Sequence, residues 1–169
     1  MFATARPQSP SKAALYEELL PLARALFGGE RDALANSANL AALLYHSLPE
    51  VNWAGFYWLR GGELVLGPFQ GRPACVRIAL GKGVCGTAAA RGRTVIVPDV
   101  DAFAGHIACD SASRSEIVVP VVQVRPGNPE PVVLGVLDID SPRKERFTQE
   151  DATALESVVR AFVEATDLG

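Results

Sequence analysis

The sequence has no block of basic residues and no long hydrophobic run. Its 16 Lys and Arg residues and 19 Asp and Glu residues are spread along the chain and give a formal net charge of −3. Because nucleic acids are bound through clustered positive charge, this distribution argues against a nucleic-acid partner. No segment reaches the roughly 18 apolar residues of a membrane span, and the N-terminus lacks the apolar core of an export signal. We therefore expect a cytoplasmic protein with no membrane partner.

Cysteine is also scarce, with only Cys75, Cys85 and Cys109 in 169 residues. An odd number of cysteines without an export signal argues against a permanent disulfide framework, so reduced thiols are expected. A zinc site is the first alternative, because His106 and Cys109 form an H-x-x-C pair. Structural zinc sites, however, take their ligands in close C-x₂₋₄-C pairs, and these cysteines are spaced more widely. We predict no metal.

The chain length of 169 residues suits a single domain, residues 1–169, that buries its own core. Helical apolar spacing predicts N-terminal helices at about 11–48 and a C-terminal helix at about 148–166. Between them, at about 52–141, short β-branched and aromatic runs alternate with glycine and proline. These features predict an α+β fold, in which a central, largely antiparallel sheet of about six strands carries the N- and C-terminal helices on one face.

Strand alternation places candidate site residues on a common face. In "VLGVLDID", Asp138 and Asp140 point to the same side, because successive side chains of a strand alternate. Trp53 and Tyr57 share a side in the same way. Two such acids are usually solvated, and two such aromatics usually belong to the core. If the helices cover the other face, the four residues could instead line a polar pocket.

The stretch "GHIACDSASRSEIVVP" places Cys109 among small and polar residues and Glu116 at the start of an apolar run. Cys85 lies in "GKGVCGTAA", which is typical of a loop leading into a short helix. Loops favour exposure, which a reactive thiol and a resolving thiol both need. Redox chemistry therefore explains the thiols better than zinc does. His106, taken alone, is interpreted as a surface loop residue.

The stretches "NWAGFYW", "GRPACVRIALGKGVCGTAA", "VPDVDAFAGHIACDSASRSEIVVP" and "GVLDIDSP" together resemble the free methionine-(R)-sulfoxide reductases, a family built on the GAF domain. The resemblance runs from about Asn52 to Pro142 and includes all three cysteines. It implies a GAF-like fold and the thiol-dependent reduction of free L-methionine (R)-S-oxide to methionine. Most GAF domains are sensory modules, so a small-ligand sensor without catalysis is the alternative function.

The resemblance also implies a role for each candidate residue. Cys109 would be the nucleophile, Cys75 the principal resolving thiol and Cys85 a second thiol able to exchange with it. The pocket carboxyl groups and the aromatic residues of the substrate site would be Glu116, Asp138, Asp140, Trp53 and Tyr57. The residue types suit this chemistry, because a sulfoxide oxygen must be protonated as its S–O bond breaks. Glu116 or one of the aspartates could supply that proton, and the other acids could hold the substrate ammonium group.

The implied reaction cycle needs no cofactor. Cys109 would become a sulfenic acid, Cys75 would convert it to an intramolecular disulfide, and thioredoxin would restore the dithiol. No flavin, haem or nucleotide is required, and "GKGVCG" lacks the spacing of a phosphate-binding loop. The N-terminal helices could mediate a homodimer, which would be compatible with catalysis.

Overall fold

The computed structural model describes residues 11–107, 110–125 and 127–169. Two helices come first, α1 (Lys12–Leu26) and α2 (Ala33–Ser47). The remaining elements are β1 (Trp53–Arg60), β2 (Glu63–Gly71), β3 (Arg77–Ala79), α3 (Gly83–Arg91), β4 (Val95–Val97), a 3₁₀ helix (Val100–Ala102), β5 (Ser115–Arg125), β6 (Asn128–Ser141) and α4 (Gln149–Ala165). None of the helices within these ranges is both long enough and apolar enough to cross a membrane.

The strands form one sheet in the order β3-β2-β1-β6-β5-β4. Every neighbouring pair in it is antiparallel. The two central strands, β1 and β6, pair so that Trp53 lies opposite Asp140 and Gly55 opposite Asp138. This sheet confirms the predicted α+β fold with a largely antiparallel sheet of about six strands.

Helices α1, α2 and α4 pack on one face of the sheet, as predicted. Their apolar faces contribute Leu19, Leu44 and Phe162, each fully buried, to a core that also contains Phe56 and Leu137 from the central strands. Burying a side chain of this size contributes about 1.5–3 kcal/mol to the free energy of unfolding. This face of the sheet therefore forms the hydrophobic core that stabilises the fold.

The two terminal helices are joined by a buried carboxylate, Asp151, in the first turn of α4. Asp151 caps the helix with Thr148, whose backbone N–H donates to its Oδ2 at 2.7 Å. From α1, the Lys12 ammonium group lies 2.5 Å from Oδ2, and the Tyr16 hydroxyl donates to Oδ1 at 2.9 Å. The Arg146 guanidinium donates to the same oxygen at 3.0 Å. These bonds hold the pKa of Asp151 below its usual value despite burial, so α1 is fixed to α4 by an ion cluster.

The other face of the sheet carries α3, which packs unusually close to the strands. A Cβ atom added at Gly86 would lie 2.3 Å from the carbonyl oxygen of Ala79, so only glycine allows this approach. The helix begins at Gly83, whose φ of 58° is in the left-handed region. Trp53 and Tyr57 contribute to the core on this face, which confirms their predicted common side. The structure therefore places the aromatic pair and α3 on the face that the other helices leave open.

Candidate active site

A cavity lies on this second face, between the sheet, α3 and the loop that follows the 3₁₀ helix. Its lining residues are Tyr57, Ile78, Gly83, Val84, Cys85, His106, Ile107, Asp110, Ser113, Glu116, Asp138 and Asp140. The space free of atoms measures about 380 Å³, including the open mouth. The cavity therefore brings carboxyl groups from two strands and a thiol from α3 to one wall that is reached from solvent.

Three of the predicted site residues meet at the cavity wall. Glu116 on β5 is paired with Asp140 on β6, so both side chains lie on the cavity face, and Asp138 lies two residues before Asp140. From α3, the Cys85 thiol donates to Glu116 Oε1 at 3.9 Å. One donor atom from each of Cys85, Glu116 and Asp138 lies within 4.8 Å of the other two. The structure thus brings the Cys85 thiol together with Glu116 and Asp138, whereas the predicted meeting of Cys109 with Glu116 involves a residue outside the described ranges.

Burial controls the protonation of this cluster. Loss of solvation is the main cause that raises the pKa of Glu116 well above its ordinary value, and the charge of Asp140 adds to it. The pKa of Asp138 is raised by burial and then by Glu116. That of Asp140 is raised by burial and then by Asp138. Burial raises the pKa of the Cys85 thiol as well. The cluster therefore keeps protons at pH values where isolated carboxyl groups have lost them.

One oxygen of this cluster is left without a partner among the described residues. Asp138 is 6% exposed, and its Oδ1 atom is buried without a hydrogen bond. Leaving such a group unpaired costs about 1–3 kcal/mol. A ligand that donates a hydrogen bond, such as an ammonium group, would recover that free energy.

The same groups define where a cation could bind. A thiol and two carboxyl groups, from Cys85, Glu116 and Asp138, form a donor set that suits zinc chemically. Each of them would first have to lose a proton, against the raised pKa values that burial gives them. This donor set differs from the zinc-site alternative in the sequence, which was based on His106 and the cysteines.

The two predicted aromatic site residues, Tyr57 and Trp53, differ in their position relative to the cavity. Tyr57 lines the cavity, and its hydroxyl donates to the Cys75 carbonyl oxygen at 3.0 Å. Trp53 lies behind Tyr57 and outside the cavity lining, with their ring centroids 5.9 Å apart. The Trp53 indole N–H donates to the Arg72 carbonyl oxygen at 3.1 Å. Trp53 therefore supports the cavity wall and the segment 72–76, which carries Cys75.

The three cysteines also differ from one another. Cys109, the predicted nucleophile, lies outside the described residues. Cys75 is half-buried and disulfide-bonded, so the expectation of reduced thiols does not hold for it. Cys85 is a free thiol and only 4% exposed. The expectation that Cys85 lies in an exposed loop is wrong, because the contact of Gly86 with Ala79 presses the first turn of α3 onto the sheet.

Some cavity residues were not predicted. His106 was interpreted as a surface loop residue, but its side chain is 16% exposed and its Nε2 lies 3.6 Å from Glu116 Oε2. Asp110 and Ser113 are bound by Asn52, whose Nδ2 donates to Asp110 Oδ2 and to Ser113 Oγ, both at 3.1 Å. In the sequence, only their proximity to Cys109 could have indicated Asp110 and Ser113. Apolar periodicity predicts helices and strands, but it does not predict the path of a loop.

The GAF domain profile matches residues 13–165 of the chain. The free methionine-R-sulfoxide reductase of Escherichia coli is 51% identical over 149 residues, which cover 88% of this chain and 87% of that protein. The X-ray structure of the Neisseria meningitidis enzyme with its substrate has a TM-score of 0.88 at 45% identity, covering 98% of this chain and 95% of that one. The reduced Staphylococcus aureus enzyme has a TM-score of 0.82 at 44% identity, with 97% and 99% covered.

These matches confirm that the fold is that of a GAF domain. The chain belongs to the GAF domain family and, within it, to the free methionine-R-sulfoxide reductases, which are oxidoreductases. The family resemblance predicted from the cysteine-containing stretches is therefore confirmed.

Proposed function

We propose that this protein reduces free L-methionine (R)-S-oxide to methionine. The observation that carries the proposal is the buried cluster of Cys85, Glu116 and Asp138 at the cavity wall, in which burial raises the pKa of both carboxyl groups. Sulfoxide reduction needs an acid that can give a proton to the oxygen, and the raised pKa of Glu116 favours its protonated form. The relatives named as free methionine-R-sulfoxide reductases support the same substrate.

The first chemical step uses Cys109 as the nucleophile. Its sulfur attacks the sulfoxide sulfur while Glu116 gives a proton to the sulfoxide oxygen, and the proton that the thiol loses replaces the one given by Glu116. The oxygen then passes to the cysteine sulfur as the S–O bond of the substrate and the transient S–S bond both break, so Cys–SH and the sulfoxide become Cys–SOH and the thioether methionine. The sulfoxide is reduced by two electrons, and the thiol is oxidised by two.

Substrate binding would use the groups that the cavity leaves unsatisfied. Asp138 Oδ1, buried and unpaired among the described residues, would accept a hydrogen bond from the substrate ammonium group, together with Asp140. Tyr57, backed by Trp53, supplies an aromatic wall for the methylthio end. A free amino acid carries both features, and a peptide-bound residue lacks the ammonium group. This difference supports a preference for the free substrate.

The sulfenic acid would be resolved by Cys75. Its thiol attacks the Cys109 sulfur, water leaves, and a disulfide forms. Two facts support this pairing: Cys75 is disulfide-bonded, and Cys85 is a free thiol in a chain of three cysteines. Cys85 would exchange later, because its buried thiol has a raised pKa and is a poor nucleophile. Thioredoxin would then reduce the disulfide in the cytoplasm, with the protein acting as a homodimer.

The test uses the reduced protein, a mixture of free methionine sulfoxide epimers and a thioredoxin recycling system. We expect loss of one epimer with stoichiometric NADPH oxidation. Cys109→Ser should abolish the reaction, and the matched variant Cys85→Ser should retain most of it. If the wild-type protein binds the sulfoxide without consuming either epimer, the reductase function is refuted and the small-ligand sensor is supported.

A further inference from the structure

Asn52 binds two residues of the cavity wall, and the proposed mechanism gives it no role. It directly precedes the central strand β1, and its Nδ2 group donates hydrogen bonds to Asp110 Oδ2 and to Ser113 Oγ, both at 3.1 Å. Asp110 and Ser113 line the cavity and are buried. They are the two ends of a short turn, which the Ser113 backbone N–H closes by donating to the Asp110 carbonyl oxygen at 3.2 Å. One side chain therefore holds both ends of the turn 110–113.

Other groups near the Asp110 carboxylate do not replace Asn52 as its anchor. The Ala112 backbone N–H donates to Asp110 Oδ1 at 2.9 Å, but it belongs to the same turn. The Arg72 guanidinium lies 3.9 Å from that oxygen, and its side chain is 75% exposed. Exposed ion pairs contribute little to stability. Among the described contacts of this carboxylate, the hydrogen bond from Asn52 is therefore the one that ties the turn to the sheet.

Asn52 is also joined to the strand that carries two of the cavity acids. Its backbone N–H donates to the Asp140 carbonyl oxygen at 3.0 Å, near the end of β6. On the neighbouring strand β5, Glu116 is paired with Asp140. Burial raises the pKa of the Asp140 carboxyl group, and an interaction with Ser113 opposes that shift. Asn52 therefore links the turn 110–113 to the acids through its backbone as well as its side chain.

We propose that Asn52 is a positioning residue that holds the nucleophile Cys109 in place relative to Glu116. The role rests on the proposed function, since it takes Cys109 as the attacking thiol. Cys109 lies outside the described residues, but it is bonded to Asp110, so an anchor on Asp110 acts on it through one planar peptide unit. Attack on the sulfoxide sulfur needs thiol and proton donor in one geometry, and a misplacement of about 1 Å can slow such a step about 100-fold.

The first turnover measures this positioning directly. Reduced protein is mixed with saturating free methionine sulfoxide, without an external reductant, and the methionine formed is measured after rapid quenching. Asn52→Ala removes both hydrogen bonds, and Asn52→Asp keeps the shape of the side chain but turns an acceptor oxygen towards Asp110. The exchange variant Asn52→Asp/Asp110→Asn restores one hydrogen bond between the two positions with donor and acceptor reversed. Substrate affinity is measured by isothermal titration calorimetry of the same variants in a Cys109→Ser background.

Asn36 offers a matched control. Its Nδ2 group also donates two hydrogen bonds, to the Glu30 carbonyl oxygen and to Thr166 Oγ1, both at 3.1 Å. The Oδ1 atoms of Asn36 and Asn52 are both buried without a partner among the described residues. Asn36 lies on α2, however, on the face of the sheet opposite the cavity. Asn36→Ala should therefore lower stability as Asn52→Ala does, without affecting the site.

For Asn52→Ala and Asn52→Asp we expect a first turnover slower by about 100-fold, with a substrate affinity within about threefold of wild type. The exchange variant should recover a rate within about tenfold of wild type, because one of the two hydrogen bonds is restored. Asn36→Ala should keep the wild-type rate. Since Asn52→Asp and the exchange variant preserve side-chain shape, their comparison is decisive even where Asn52→Ala does not fold.

Several outcomes would overturn the positioning role. A wild-type first turnover in Asn52→Asp would show that the nucleophile does not depend on this anchor. An equal loss of rate in Asn36→Ala would show that the rate follows stability. Weaker substrate binding with an unchanged first turnover would make Asn52 a determinant of affinity only. An exchange variant no faster than Asn52→Asp would exclude the hydrogen bond to Asp110. Wild-type protein that forms no methionine is a different result, because it refutes the proposed function.

Discussion

The protonated acid cluster predicts that folding stability decreases as the pH rises from 5 to 8. Glu116, Asp138 and Asp140 have pKa values raised by burial, so in this range the folded protein binds protons that the unfolded chain has released. Stability is fully present below the ordinary carboxyl pKa of about 4 and is lost as the pH rises through the raised values. Asp151 does not interfere, because its lowered pKa makes its contribution disappear only at more acidic pH.

The magnitude follows from the number of protons. Each carboxyl group that is protonated in the folded state and ionised in the unfolded chain changes the free energy of unfolding by about 1.4 kcal/mol per pH unit. Three groups set an upper limit of about 4 kcal/mol per pH unit. Asp138→Asn removes one titrating group with little change of shape, so it should reduce the slope by up to about 1.4 kcal/mol per pH unit.

The assay is urea unfolding of the reduced protein at pH 5, 6, 7 and 8, followed by circular dichroism. The control is Glu17→Gln, which removes an exposed carboxylate of α1, outside the cluster, and should leave the slope unchanged. Stability that is constant or increases over this pH range would refute the assignment of protons to the cluster. An unchanged slope in Asp138→Asn would exclude Asp138 as one of the titrating groups.

Three further predictions concern the framework of the site. Gly86→Ala should lower the free energy of unfolding by about 1–3 kcal/mol, because the added Cβ would lie 2.3 Å from the Ala79 carbonyl oxygen; thermal unfolding measures it. Tyr16→Phe should cost about 1–3 kcal/mol, because Asp151 loses a buried hydrogen bond, and Tyr45→Phe serves as the control in urea unfolding. Trp53→Ala should cost about 3–5 kcal/mol. Trp53 lies outside the cavity lining, so Trp53→Ala should weaken substrate binding less than Tyr57→Ala does. Isothermal titration calorimetry of the folded variants measures both affinities.

The sequence predicted the sheet face of the site because strand alternation is a local rule. Asp138 with Asp140, and Trp53 with Tyr57, were assigned to common sides from their spacing alone, and the structure places both pairs on the cavity side. The terminal helices were predicted for the same reason, since their apolar periodicity is encoded over a few turns.

The burial of Cys85 and the position of His106 could not be predicted in this way. Cys85 is buried because Gly86 allows α3 to approach the backbone of Ala79, and that contact joins two separate elements. His106 reaches Glu116 only because its loop folds back over the sheet. Both depend on tertiary packing, which cannot be predicted from the local, glycine-rich sequence.

The hydrogen bonds from the two stacked aromatic residues of β1 also give the protein an internal optical probe. Trp53 donates a hydrogen bond to the Arg72 carbonyl oxygen, and Tyr57 donates one to the Cys75 carbonyl oxygen. Both side chains are therefore sensitive to the position of the segment 72–76. Trp58, the only other tryptophan, packs against the core on the opposite face. A shift of this segment when Cys75 changes its redox state would therefore alter the fluorescence of one tryptophan, with the second as an internal reference, and each catalytic cycle could be followed without a label.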